Sequence, residues 1–370
     1  MVTDKKPKLV ISAINIIDGG PFTVLKECVT SAVELLGEHW DLVVLVHDRN
    51  LINLPDITLI EFPHSKRSWI LRLYYEWWHF HKLSKQLMPD IWLSLHDITP
   101  RIVATKQAVY CHNPAPFYRI SLHEAWLEPR FLLFNLFYKF LYGMFIERNR
   151  YVIVQQEWLR QEFSRQFRSQ EIIVAHPVSS IQEMPRSQST GREKPFVFFY
   201  PTFPRVFKNI EIIGKAARHL LSEGHDNFEI RVTVDGTQTR YTKWIQEEFT
   251  DVPQFKLIGF QSRESVFNLY KETDCLLFPS KLETWGLPLS EFKRFGKPIL
   301  AANLPYAHET VGEYSQVKFF DPCNAIQLAK YMSALMCDSL KFDESHLIEP
   351  SQPFAKDWNQ LFKILTRSDE

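Results

Sequence analysis

Short β-branched and aromatic runs alternate with longer segments of helical spacing along almost the whole chain of 370 residues. In the first half, strands are predicted at Lys8–Ile14, Leu42–His47, Thr58–Phe62, Ile91–Leu95, Ala108–Tyr110 and Tyr151–Val154. Helices fall between them at Phe22–Leu36, Trp69–Gln86 and Trp158–Gln166. The alternation restarts with strands at Phe196–Tyr200, Glu229–Thr233, Phe255–Ile258, Cys275–Phe278, Pro298–Ala301 and Val317–Phe319. Its helices are Asn209–Glu223, Tyr241–Phe249, Ser262–Glu272, Pro288–Phe295 and Ala325–Met336, and a last helical pattern covers Phe354–Leu365. A strand followed each time by a helix cannot close a hairpin. It returns parallel to its predecessor, and helices cover the sheet on both faces.

The expected fold is therefore α/β, with two Rossmann-like doubly wound domains. The polar stretch SSIQEMPRSQSTGREKP divides them. This gives an N-terminal domain over 1–180, a linker over 181–195, a second domain over 196–350 and a terminal helix over 351–370. That helix is expected to pack back on the N-terminal domain. Ligands of such sheets bind beyond the carboxyl ends of the strands, and two facing domains would place the site in the cleft between them.

Composition narrows the function. Lys and Arg total 43 and so do Asp and Glu, so no overall charge draws the chain to nucleic acid and any anion site must be local. The five cysteines form no C-x-x-C pair, which argues against a zinc cluster and for reduced thiols in a cytosolic protein. The opening MVTDKKPKLVISAINIIDGG reads as a strand and turn rather than a leader. Phe131–Ile146 is the most apolar run, but Asn135 and Lys139 interrupt it. It is also shorter than the ~20 residues that span a bilayer. The expected location is cytoplasmic, either free or peripheral at the inner face of the membrane. There is no G-x-G-x-x-G after the first strand, no P-loop, no G-x-S-x-G, no H-E-x-x-H and no D-x-D. Dinucleotide dehydrogenases, P-loop enzymes, hydrolases built on a nucleophile elbow and zincins are thereby disfavoured, and no metal site is expected.

The strongest positive signal is Phe278-Pro-Ser-Lys-Leu-Glu-Thr-Trp-Gly-Leu-Pro-Leu-Ser-Glu291. A strand ends in a loop holding Glu283, Thr284, Trp285, Gly286 and Leu287, and Pro288 sits at the first turn of a helix that contains Glu291. Backbone N–H groups at Gly286–Leu289 would favour an anion, and two carboxylates would flank it to accept from hydroxyls. That is the shape of a site for a nucleotide-diphosphate sugar. A second element, Phe198-Phe-Tyr-Pro-Thr-Phe-Pro-Arg-Val-Phe-Lys-Asn209, offers Arg205 and Lys208 to neutralise a diphosphate without metal. Each of these charges, taken alone, also reads as ordinary surface.

Taken together, the string resembles the retaining glycosyltransferases of GT-B fold, of group 1 or family 4 type, that carry an E-x7-E signature. Glu283 and Glu291 match that spacing, with Asp274–Ser280 before, Phe295–Asn303 after and Pro305–Gly312 beyond. The resemblance implies that Glu283 contacts the donor sugar, that Glu291 holds the ribose hydroxyls and that Lys208-Asn209 lies at the diphosphate. This chain has Glu283-Thr-Trp-Gly286 where the common form has Glu-Gly-Phe-Gly, and Arg205 stands closer to Lys208 than is usual.

In the N-terminal half, Gly19 and Gly20 follow the first strand and allow close approach to the backbone. Ser94-Leu-His-Asp97 and Tyr110-Cys-His112 both end strands, so His96, Asp97 and His112 are candidates to face substrate. The resemblance implies that the glycine pair lies near the donor phosphate and acceptor, and His112 near the transferred sugar. Aromatics make up 14% of the chain, and they concentrate in the basic, helical segments Lys66–Lys85 and His123–Tyr151. Such helices either lie at a membrane interface or pack on the sheet.

The expected activity is metal-independent, retaining transfer of a hexose from a UDP- or GDP-linked donor to a glycan or polyprenyl-linked glycan, as in bacterial-type surface polysaccharide synthesis. No cofactor is expected beyond the nucleotide sugar itself. A sugar-nucleotide epimerase of the same fold and a non-catalytic two-domain sugar-binding protein are the alternatives.

Overall fold

The computed structural model describes residues 5–168, 171–177 and 194–367. The predicted linker, 181–195, lies outside these residues apart from its last two positions. The chain divides into two compact units. The first takes Met1–Phe117, Asn135–Val178 and Pro350–Glu370, and the second takes Tyr118–Phe134 and Ser179–Glu349.

In chain order the first stretch contains β1 (Lys8–Ala13), α1 (Gly19–Leu36), β2 (Asp41–Val46), β3 (Thr58–Glu61), α2 (Trp69–Tyr74), α3 (Phe80–Leu87), β4 (Ile91–Ser94) and β5 (Lys106–Tyr110). It continues with α4 (Leu122–Leu127), α5 (Pro129–Gly143), β6 (Tyr151–Val154), α6 (Glu157–Gln166) and β7 (Glu171–Ala175). After these come β8 (Phe196–Tyr200), α7 (Ile210–Ser222), β9 (Phe228–Val232), α8 (Arg240–Glu248), β10 (Phe255–Leu257), α9 (Arg263–Glu272) and β11 (Cys275–Phe278). The chain closes with α10 (Leu287–Lys293), β12 (Ile299–Ala302), α11 (Pro305–Val311), β13 (Val317–Phe320), α12 (Ala325–Met336), β14 (Phe354–Ala355) and α13 (Trp358–Thr366).

The first unit is built on an eight-stranded sheet of order β14-β7-β6-β5-β4-β1-β2-β3, and the second on a six-stranded sheet of order β10-β9-β8-β11-β12-β13. Pairing is parallel throughout, for example Leu9 beside Leu42 and beside Ile91. A strand inside such a sheet is covered on both faces and needs apolar residues at both parities. β1 shows this: Leu9, Ile11 and Ala13 enter one core with α1 and α13, while Val10 and Ile14 enter another with Phe80 and Trp92. Each sheet has one place where strand order reverses. In the first it lies between β1 and β4, in the second between β8 and β11. Loops leaving the two strands diverge there and open a crevice at their carboxyl ends.

Four elements depart from the predicted pattern: β7 and α11 were not among the expected strands and helices, and two more differ in form. The last helix does not begin at Phe354. Phe354 and Ala355 instead pair as β14 with Val174 and Ala175 of β7. The helix waits for Asp357, whose side chain caps it by accepting from the Gln360 N–H. The helix predicted over Trp69–Gln86 is interrupted by a π-helical turn at Tyr75–His79 between α2 and α3. A π turn inserts one residue into the helical spiral and re-aims the side chains around it.

Candidate active site

In the second unit, the loops after β8 and β11 are stapled together. Asn209 sits at a left-handed φ of 56°, closing the 3-10 turn Val206–Lys208, and its amide donates to Pro279 O at 3.1 Å and Pro322 O at 2.9 Å. The Lys281 N–H donates to Phe207 O at 2.7 Å. These bonds bring Lys208 from one loop against Glu283 from the other, with Nζ 2.5 Å from Oε1. The pair is largely buried, and the Phe203 ring centre lies 4.5 Å from the ammonium. A cation is thus held, desolvated and aimed, at the carboxyl end of the sheet where its order reverses.

Gly286 adopts φ 84°, and an added Cβ would stand 3.3 Å from the Phe278 ring. Glycine is needed there for both backbone and space. Trp285 is buried and donates its indole N–H to Ser290 Oγ at 2.9 Å. The N–H donors expected across Gly286–Leu289 are fewer than the spacing suggests. Pro288 has none, and the Leu289 N–H donates to Gly286 O at 2.9 Å. Gly286 and Leu287 remain, beside the half-buried Thr284.

Arg205 and Glu291 have partners that the sequence did not disclose. Arg205 Nε lies 3.4 Å from Glu128, and its guanidinium stacks 4.9 Å from the Phe131 ring centre. Glu128 also accepts from the Val206 N–H at 2.8 Å, and burial raises its carboxyl above the ordinary range. Glu291 accepts from Tyr270 OH at 3.3 Å and lies 3.4 Å from Arg263 Nη2. Burial raises the Glu291 carboxyl too, against the opposing pull of Arg263.

The first unit gathers its candidates at its own reversal of strand order. Ser12 Oγ on β1 lies 3.0 Å from His96 Nε2 just past β4. His96 Nδ1 lies 3.2 Å from Glu76 Oε1 in the π turn. All three side chains are buried. Neither Glu76 oxygen has a hydrogen-bond donor, and burial pushes its carboxyl up to about 8, only partly offset by the Arg72 charge. The same burial holds the His96 imidazole well below its ordinary value. Arg72 donates to His96 O at 2.8 Å and, with the Asn15 amide turned to suit the network, to Asn15 Oδ1 at 3.1 Å.

Asp97 stands at φ 70° and is fully engaged inside the unit. Its Oδ1 accepts from His112 N at 2.6 Å, Asn113 N at 3.1 Å and Tyr142 OH at 2.9 Å, and its Oδ2 accepts from Tyr138 OH at 3.1 Å. His96 and Asp97 therefore organise the strand ends from within: Asp97 is occupied by four donors, and His96 is buried with its Nδ1 turned to Glu76. His112 is different. It is half-buried, and its Nε2 faces Leu95 O at 2.9 Å. A carbonyl only accepts, so Nε2 carries the proton and Nδ1 keeps a lone pair. Burial lowers the His112 pKa, against the pull of Asp97, and favours that neutral form. Gly19 and Gly20 open α1, Gly19 at φ 69°.

Sequence reasoning missed Glu76, Arg72, Ser12 and Glu128. One signal was available: Glu76 is the single acid in the basic, aromatic stretch Lys66–Lys85.

Residues 180–348 match the family model of glycosyl transferases group 1. The chain is also similar to solved structures. Sucrose-phosphate synthase from Thermosynechococcus elongatus is 13% identical at a TM-score of 0.62, covering 90% of each chain. Anabaena HepE, in complex with UDP and glucose, is 14% identical at 0.60, again covering 90% of each. The lipopolysaccharide outer core galactosyltransferase WaaB is 15% identical at 0.59, covering 91% of this chain and 92% of that one. Curated proteins gave no match. Within the second unit the chain thus matches the group 1 glycosyl transferase model, and as a whole it has the GT-B fold of these glycosyltransferase structures.

Proposed function

We propose that the protein transfers a hexose from a nucleotide-diphosphate sugar, UDP- or GDP-linked, to a glycan or lipid-linked glycan, with retention and without a metal. The observation that carries this reading is the Lys208–Glu283 pair at the strand reversal of the second unit. As the sugar leaves the diphosphate, negative charge grows on the leaving oxygen. Lys208 and Arg205 stabilise it, helped by the N–H groups of Gly286 and Leu287. Glu283 is released from Lys208 to accept from the donor sugar, and Glu291 accepts from the ribose. The acceptor hydroxyl attacks the sugar carbon and gives its proton to the departing phosphate. His112 accepts a hydrogen bond from a sugar hydroxyl through Nδ1. The first unit, with Gly19 and Gly20, serves the acceptor side. HepE, in complex with UDP and glucose, and WaaB, a galactosyltransferase, support this substrate class.

The test is transfer from a panel of UDP- and GDP-sugars, with the anomeric configuration of the product read by NMR. Activity should survive EDTA. A strict requirement for Mg²⁺ or Mn²⁺ would end the metal-free reading. Epimerised donor formed without acceptor would replace transfer by epimerisation.

A further inference from the structure

The helical segment α2–π turn, ahead of an ordinary amphipathic α3, is inside out. Residues 72, 76 and 80 point inward, and two of them are Arg72 and Glu76. Ile70, Tyr74 and Trp78 point outward, with Ile70 83% and Trp78 57% exposed. A helix on a water-facing surface has the opposite arrangement. On α5, Asn135 and Tyr138 face inward, while Leu136, Phe137 and Phe140 are exposed, Leu136 by 61% and Phe140 by 57%. The two exposed faces meet, since Trp69 and Phe137 pack edge to face with ring centres 5.8 Å apart. A soluble surface rarely carries so many large apolar groups together.

Charge identifies what covers this face. The only acid in Lys66–Lys85 is the buried Glu76, and Pro129–Ile146 holds none. The exposed charges on Lys66–Lys85 and Pro129–Ile146 are Lys66, Arg67, Lys82, Lys85, Arg130 and Lys139, all basic, in a chain whose total charge is zero, and the exposed Glu147 that follows is neighboured by the exposed Arg148. Aliphatic and Phe side chains to enter acyl chains, Trp and Tyr to sit at the headgroups and a basic rim to meet phosphates are the features of an interfacial surface. No helix among the described residues is long and apolar enough to cross a membrane. We propose that the α2–α3 and α5 face of the first unit docks on an anionic lipid bilayer. The docking rests on the reading above that the acceptor is lipid-linked, but the two fail separately, because vesicle binding needs neither donor nor acceptor.

The experiment is co-sedimentation with phosphatidylcholine vesicles containing or lacking phosphatidylglycerol. The full-length protein should bind the anionic vesicles at least tenfold more strongly, and salt should weaken binding. Ile70→Glu/Phe140→Glu should reduce vesicle partition at least tenfold while donor-induced thermal stabilisation stays unchanged. Should that variant not fold, brominated lipid decides with the native chain: it should quench tryptophan fluorescence, and Trp78→Phe should reduce the quenching. Absence of binding and quenching in the native protein overturns the proposal. So does a solution dimer that the double substitution dissociates, which would make the face a contact between copies. Vesicle binding in a protein that turns over no sugar nucleotide would leave the docking intact and remove the transferase reading.

Discussion

Glu76 shows how much a single buried carboxyl can control. Its proton is held at about 8 in the folded chain, against an ordinary value of 4.5, so folding takes up a proton across that window. The linked stability is complete below about pH 4.5 and is lost as pH rises toward 8, with a magnitude of several kcal/mol. Glu76→Gln keeps the shape and removes the titration. Its Tm should fall less than that of the native protein between pH 6 and 8.5, and parallel falls would show that Glu76 does not carry the effect. Glu283 calls for the same care. Glu283→Ala leaves Lys208 buried without its partner, which costs about 3–5 kcal/mol when a buried pair is broken. Glu283→Gln is the cleaner test: transfer should drop at least 100-fold with a small change in Tm. The E-x7-E spacing marked Glu283 as a candidate in the sequence. Its ion pair was not legible there, because Lys208 arrives from 75 positions away through a staple that only folding makes.

At the scale of elements, period and punctuation located most strands and helices, since a two-sided parallel sheet demands continuous apolar runs, but the short β7 and α11 were not expected. The π turn escaped because one inserted residue barely alters an apolar pattern that is already aromatic on all sides. β14 escaped because two residues carry no period. Helix α13 anchors the first core: Trp358 is buried and stacks on Tyr110 with ring centres 5.6 Å apart. Trp358→Ala should therefore destabilise the protein by about 3–5 kcal/mol, read from the urea midpoint at unchanged m-value. A smaller loss, below about 1 kcal/mol, would mean that α13 contributes little to that core.

At the scale of the molecule, the alternation of strands and helices foretold two sheets, and candidate residues gathered where each sheet reverses its order. The sequence could not say that residues 118–134 join the second unit, because that membership rests on contacts such as Glu128 with Arg205 and Lys281 with Glu124 at 3.2 Å. Ligand linkage tests the second unit directly. The right donor should raise Tm in proportion to the logarithm of its concentration, and Lys208→Ala should abolish that rise. The return of the last residues to the first sheet has a further consequence, for how the chain is made. As the ribosome extends it, β7 emerges long before its neighbour β14, so one edge of the first sheet stands unpaired while all of the second unit is synthesised. Completion of the first unit thereby waits until the whole second unit has been made, and until then β7 presents an open parallel edge, the kind of surface on which other strands add.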